Sequence, residues 1–287
     1  MMTRSIRRYE IQYRLAPKMR QWRLIGDSPT TGARNMALDE AVLRAVGAGQ
    51  MPPTLRLYAW SPPCLSLGYG QRAADVDFAR AEAFGWDVVR RPTGGRAILH
   101  TDELTYCLAL PAGHELAAGN IVDSYRRISA ALVAGLQKLG ADPQAERHEG
   151  QLDTIGAVCF ETPSHYEITV NGRKLVGSAQ VRRYGGVLQH GSLPLYGDLG
   201  RICDVLAYQD ETEREAAKVQ LYARALTLAD ALDRRITWNE AAGAVIAGFA
   251  ETFGVHFVAS ELTQAEWVEA DRLEHEVYGT QAWTRRR

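Results

Sequence analysis

Residues 166–195 read YEITVNGRKLVGSAQVRRYGGVLQHGSLPL. Tyr166–Val170 alternates apolar and polar side chains, Asn171–Gly172 is a favoured two-residue hairpin turn, and Arg173–Arg183 continues the alternation. Gly185–Gly186 predicts a second turn before Val187–Leu195. Three strands joined by tight turns form an antiparallel meander, and this run sets the fold class. A sheet with one apolar face needs a partner layer, and the flanking sequence supplies helices. Ala33–Val46 predicts an amphipathic helix with Leu38, Ala41, Val42, Ala45 and Val46 on one face. Asp123–Leu139 predicts another, striped by Tyr125, Ile128, Leu132 and Leu136 and stopped by Gly140. Between them lie strand-like segments at Thr54–Trp60, Leu65–Tyr69, Asp87–Arg91, Ala97–His100 and Leu104–Leu110, with a short helix at Phe78–Phe84. Leu104, Tyr106, Leu108 and Leu110 share one strand face.

Beyond Tyr208 the pattern turns helical. Glu213–Leu232 reads as helical. Thr237 with Glu240, and Thr263 with Glu266, are capping boxes opening two more, which run to about Phe253 and over Trp267–Tyr278. The expectation is an α+β fold with a mixed, largely antiparallel sheet and flanking helices. The main domain should span 22–208, followed by a helical C-terminal extension at 209–287 and preceded by a basic segment at 1–21.

Composition narrows the function. The 287 residues are 46% hydrophobic and 23% charged, which excludes a disordered chain, a collagen-like repeat and a coiled coil. With 33 Lys+Arg against 34 Asp+Glu there is no global basic field, so no nucleic-acid partner is expected. The longest apolar run, Ala241–Ala250, is too short to cross a bilayer, and residues 1–23 lack the apolar core of a signal peptide. No membrane association and a cytoplasmic location are expected. The four cysteines, Cys64, Cys107, Cys159 and Cys203, form no C-x-x-C pair, so no metal is expected. Local arginine clusters, including Arg90–Arg91 and Arg182–Arg183, read either as solvated surface or as a docking patch for acidic partners.

Four segments could carry chemistry. Arg90–His100, RRPTGGRAILH, places Gly94–Gly95 where backbone N–H groups can approach a ligand oxygen, or where a plain turn is needed. Arg173–Gln180, RKLVGSAQ, puts Lys174 beside apolar neighbours and follows it with the small residues Gly177, Ser178 and Ala179. Buried near an anion, that ammonium would favour a thiolate or a developing oxyanion; on an edge strand it would guard against aggregation. Gly156–Tyr166, GAVCFETPSHY, holds Cys159 in a loop between glycine and proline. Cys107 and Cys64 sit in strand patterns and read as packing. His190 in QHGSL (Gln189–Leu193) reads as a base or as a hydrogen-bonded core histidine.

In this order NMALDEA (Asn35–Ala41), SLGYGQ (Ser66–Gln71), RRPTGGRAILH, GRKLVGSAQ and QHGSL resemble the lipoate–protein ligase and octanoyltransferase family, over about residues 22–205. The resemblance implies a mixed sheet with flanking helices, similar to the catalytic domain of biotin ligases. The family holds ligases that activate lipoate with ATP and transferases that carry octanoate on a cysteine. Ala157–Glu167, AVCFETPSHYE, is similar to the A-x-C-F-x-x-P-S-x-Y-E pattern of one transferase branch, and Lys174 falls on the family lysine. The other branch has its cysteine near QHGSL, where this chain has none.

The resemblance therefore implies an octanoyltransferase. Its donor would be octanoyl-acyl carrier protein, and its acceptor a lysine of a lipoyl domain or of the glycine-cleavage H protein. Cys159 and Lys174 would be catalytic. Arg91, Gly94, Gly95, Arg96, His100, Gly177, Ser178, Ala179 and His190 would bind substrate. A thioester donor is already activated, so no cofactor is expected. The alternatives are an ATP-dependent ligase and an amidotransferase drawing octanoate from the H protein.

Overall fold

The structure, a computed structural model, describes residues 20–146 and 167–287. Its eleven described strands are β1 (Arg20–Gly26), β2 (Thr54–Tyr58), β3 (Cys64–Leu67), β4 (Asp87–Arg90), β5 (Ile98–His100), β6 (Glu103–Pro111), β7 (Gln144–Glu146), β8 (Glu167–Val170), β9 (Arg173–Arg183), β10 (Gly186–Pro194) and β11 (Val255–Ala259). The helices are α1 (Gly32–Gly47), α2 (Phe78–Ala83), α3 (Ile121–Lys138), α4 (Glu211–Arg224), α5 (Leu228–Leu232), α6 (Trp238–Phe253), α7 (Gln264–Leu273) and α8 (Gln281–Thr284). Eight strands form one sheet in the order β11-β1-β2-β6-β10-β9-β8-β7. Pairing is parallel at β11-β1-β2 and antiparallel from β2 onward. The expected α+β class and mixed, largely antiparallel sheet are what is observed.

The sheet is covered on both faces. Leu104, Tyr106, Leu108 and Leu110 of β6 pack with Ile128 and Leu132 of α3 and Phe249 of α6. Cys107 and Ala109, on the opposite face, join Met36, Leu38 and Val42 of α1 and Leu273 of α7. Period-two alternation thus assigns each β6 side chain to one of two cores. Both capping boxes read from sequence form, at Thr237–Glu240 and Thr263–Glu266, and a third, at Thr227–Asp230, opens α5.

Several local expectations are corrected. Asn171 and Gly172 take φ of 51° and 71°, as a two-residue hairpin demands, but the next turn is Tyr184–Gly185 (55° and 72°), not Gly185–Gly186. Gly186 is the first residue of β10, and a Cβ there would lie 2.8 Å from Leu43 of α1. Its glycine serves the close approach of α1. Asp87–Arg91 and Ala97–His100 do not form a hairpin. Both pair with β3, which lies between them in a separate three-stranded sheet, parallel to β4 and antiparallel to β5. The segment 213–232 is two helices, interrupted where Leu226 N–H bonds the Lys174 carbonyl (3.1 Å). The C-terminal region is not purely helical, since β11 extends the main sheet beside β1.

Candidate active site

An apolar pocket lies where β9 and β10 face the three-stranded sheet. Met36, Tyr58, Trp60 and Ile98 make much of its wall apolar. Six of the residues read from sequence meet there: Arg91, His100, Gly177, Ser178, Ala179 and His190. Gly191, paired with Ser178, completes a wall of small residues. A Cβ at Gly191 would come within 2.4 Å of Ser178 Oγ and 2.7 Å of the Gly177 carbonyl, so only glycine fits.

The other predicted residues lie apart from this wall. Gly94 and Gly95 are exposed and Arg96 is half-buried, in the loop between β4 and β5. That loop packs against SLGYGQ: a Cβ at Gly68 would strike the Gly95 carbonyl at 1.8 Å, and Tyr69 N–H bonds the Thr93 carbonyl (2.8 Å). Lys174 is buried on β9 and donates to Glu167 Oε1 at 2.6 Å, outside the cavity wall. Cys159 lies outside the described residues. Cys64 and Cys107 are fully buried, and burial pushes both thiols well up, which suits the packing role read for them.

Two buried polar chains border the cavity. In the first, Asp39 of α1 is buried completely, paired with Arg56 Nη1 (2.7 Å) and hydrogen-bonded by Tyr58 Oη (2.9 Å). Asn35 Oδ1 accepts from Arg56 Nη2 (2.8 Å). Burial alone would raise the Asp39 carboxyl, but the His190 hydrogen bond and the Arg56 charge hold it below its ordinary value. His190 is pushed down by burial, against the pull of Asp39. Its Nδ1 lies 2.9 Å from Asp39 Oδ2 and its Nε2 2.7 Å from Thr93 Oγ1. An ionised Asp39 accepts only, so the neutral ring carries its proton on Nδ1 and Nε2 accepts from Thr93. His190 therefore links NMALDEA to the glycine loop.

The second chain runs along β3, β5 and β6. Ser66 Oγ is 2.8 Å from His100 Nε2, and Arg91 Nη1 donates to the Ser66 carbonyl (2.9 Å) and to its Oγ (3.2 Å). His100 Nδ1 is 3.2 Å from Glu103 Oε2, within ion-pair range but poorly aligned for a hydrogen bond. Thr105 and Ser192 hydroxyls donate to Glu103. Trp60 stacks on the His100 ring at 3.9 Å.

Sequence reasoning missed Asn35, Asp39, Arg56, Ser66, Thr93 and Glu103. Asp39 did leave a signal. It falls three residues before Val42 and seven before Val46, so a carboxylate sits on the apolar stripe of α1. The arginine pairs also need correction. Arg90 and Arg91 are buried and bonded to backbone carbonyls, so they offer nothing to a docking partner. Arg182 and Arg183 are exposed.

Residues 31–250 match the family model described as the lipoyl protein ligase A/B catalytic domain. An octanoyltransferase LipM from Carboxydothermus hydrogenoformans is 41% identical over 266 residues, covering 92% of this chain and 98% of the relative. One from Kyrpidia tusciae is 42% identical over 261 residues, covering 89% and 95%. Among solved structures, the bipartite lipoate protein ligase of Thermoplasma acidophilum, described with its E2 lipoyl domain, superposes with a TM-score of 0.78 at 25% identity. The match covers 93% of this chain and 96% of that one. A lipoate-protein ligase A bound with ATP gives 0.76 at 25% identity, covering 92% and 98%.

Proposed function

Because the chain belongs to the lipoyl protein ligase A/B catalytic-domain family, we propose that it is an octanoyltransferase of lipoate biosynthesis, moving an octanoyl group from a carrier-protein thioester to a lysine of a lipoyl domain. The observation that carries this reading is the apolar cavity, with its glycine and alanine wall and Arg91, His100 and His190 at its polar edge. Burying about seven methylene-type carbons at ~0.8 kcal/mol each gives roughly 5 kcal/mol of gross affinity. Ordering the chain offsets part of that. A slot with few polar atoms suits an acyl chain and disfavours a charged small molecule.

In the proposed chemistry Cys159 is the acyl carrier. Its thiolate attacks the donor carbonyl, the C–S bond to phosphopantetheine breaks, and an octanoyl-cysteine forms; the acceptor amine then displaces the cysteine. Lys174 is proposed as the cation that favours the thiolate, held in place by Glu167 (2.6 Å). The glycine loop at Gly94–Arg96 is proposed to face the thioester. Octanoyl-acyl carrier protein is the proposed donor, with lipoyl domains or the glycine-cleavage H protein as acceptors.

The acidic donor has a candidate contact surface. Arg183 and Arg286 both lie over the Tyr69 ring, at 4.9 and 3.7 Å from its centre, beside the glycine loop. Intact mass spectrometry tests the reading. Incubation with octanoyl carrier protein should add one octanoyl group to the wild type and none to Cys159→Ser. ATP-dependent octanoylation of an acceptor from free octanoate, without that adduct, would instead support a ligase.

A further inference from the structure

Octanoyl transfer has a proton balance that the cavity must satisfy. A lysine side chain is an ammonium near neutral pH, with an ordinary pKa of about 10.4. It loses two protons in becoming an amide nitrogen, and the departing thiol takes back one. Each turnover therefore releases one proton, and a mostly apolar wall offers few groups to carry it away. This inference rests on the octanoyl-transfer reading.

The structure shows a polar path out. Ser66 and His100 line the apolar cavity. Glu103 lines a second, polar pocket on the other side, together with Thr101, Asp102, Asp198 and Arg201, and Ser192 borders both. The three side chains lie in sequence: Ser66 Oγ to His100 Nε2 at 2.8 Å, then His100 Nδ1 to Glu103 Oε2 at 3.2 Å. All three residues are at least nine-tenths buried. A carboxylate only accepts, so the resting ring carries its proton on Nδ1, and Nε2 accepts from Ser66. The loose alignment at Nδ1 is common for a working proton-transfer group before substrate arrives.

We propose that Ser66, His100 and Glu103 form a proton relay through the wall between the two pockets. As the acceptor nitrogen bonds the acyl carbon and the C–S bond breaks, the nitrogen gives its proton to Ser66 Oγ. The Ser66 proton passes to His100 Nε2, the Nδ1 proton passes to Glu103, and Glu103 releases it to solvent in the polar pocket. The other proton of the ammonium is lost to solvent before attack, and the sulfur leaves as thiolate and regains one proton from solvent, so one proton is released in all and atoms and charge balance. Arg91, donating to Ser66 Oγ at the cavity end, disfavours cation build-up there, while Glu103 attracts it at the far end. Trp60, stacked on the ring, fixes its plane. His190 is the other imidazole on the cavity wall, but both its nitrogens are engaged by Asp39 and Thr93.

The two half-reactions separate this proposal from the reading beneath it. Thioester exchange from the carrier releases no net proton, whereas transfer to the acceptor does. Whatever His100→Ala costs loading through the shape of the cavity, it should slow transfer to an apo lipoyl domain roughly 100-fold further, the scale of general acid–base catalysis. Added imidazole should restore transfer, and Glu103→Gln, which keeps the side-chain shape, should slow transfer alone. The relay is overturned if His100→Ala transfers at the wild-type rate. It is equally overturned if loading and transfer fall together and imidazole restores neither. Absence of any octanoyl transfer by the wild type would overturn the functional reading instead.

Discussion

Arg90 ends β4 and Arg91 follows it, both inside the protein, while Arg182 and Arg183 end β9 outside it. The Arg90 guanidinium donates to the carbonyls of Gly68 (2.7 Å), Gln71 (2.6 Å) and Thr284 (2.9 and 3.1 Å). It thereby ties the SLGYGQ loop to the C-terminal helix α8. Arg91 does the same for the glycine loop through the carbonyls of Gly94 and Arg96. Arg182 reaches back to the carbonyls of Gly119 and Asn120 from an exposed position, and Arg183 lies over Tyr69. One pair holds loops at fixed distances, and the other faces solvent. The difference is set by what surrounds the strand end, since a guanidinium has five donors in a rigid fork and uses them wherever carbonyls converge.

The largest effect should come from breaking the buried pair. Arg90→Ala would orphan several buried carbonyls, each costing about 1–3 kcal/mol, so the unfolding free energy should fall by at least ~3 kcal/mol. Arg90→Lys should recover little, because an ammonium cannot span the same acceptors. Urea denaturation measures both. A loss under about 1 kcal/mol would show that water replaces the guanidinium and that the loop does not depend on it.

The same contrast explains what could be read from the chain. The two faces of β6, the stripe of α1, the Asn171–Gly172 turn and the capping boxes were legible because each is specified by neighbours within a few residues. β11 was not: it is a half-exposed edge strand whose place depends on parallel pairing with β1 from the far end of the sequence. Nor was the break before α5, which follows from Leu226 bonding the Lys174 carbonyl. In the site, Arg91, His100, His190 and the small residues of β9 were legible as motif positions. Asp39 left a signal as a carboxylate on the stripe of α1, but the histidines that Asp39 and Glu103 face lie on separate strands, and no local pattern announces those pairings. Cys159 remains a proposal, as it falls outside the described residues.

Two substitutions sharpen the contrast between the enclosed and the open side. Ala179→Leu adds about three carbons to the cavity wall. Octanoyl transfer should fall by roughly tenfold or more while a butanoyl donor is used nearly as well as before, since each displaced methylene is worth ~0.8 kcal/mol. Equal loss for both donors in steady-state assays would mean that the acyl chain lies elsewhere. Arg183→Glu should raise KM for an acidic carrier protein by a few-fold, more at low salt than at high, and change stability by less than about 0.5 kcal/mol. A KM that ignores both charge and ionic strength would remove this face from donor docking.

The smallest effect concerns pH and the buried His190. Burial holds its folded pKa below the ordinary 6.5, despite Asp39. Between the folded value and 6.5 the unfolded chain therefore binds more protons than the native one, so stability rises with pH in that window. The contribution is complete above 6.5 and is lost on acidification toward the folded value. Asp39 acts in a separate range: its carboxyl is depressed below 3.8, so its contribution is present above 3.8 and disappears as pH falls through the folded value. His190→Gln can still bridge Asp39 and Thr93 by hydrogen bonds but does not titrate. The stability advantage of wild type over this variant should shrink as pH drops from 7 toward 5, by at most about 1.4 kcal/mol per pH unit. Denaturation curves at several pH values read this directly. An advantage that grows on acidification would mean that His190 is held as the cation, and the tautomer assigned here, with Nε2 accepting from Thr93, would be wrong.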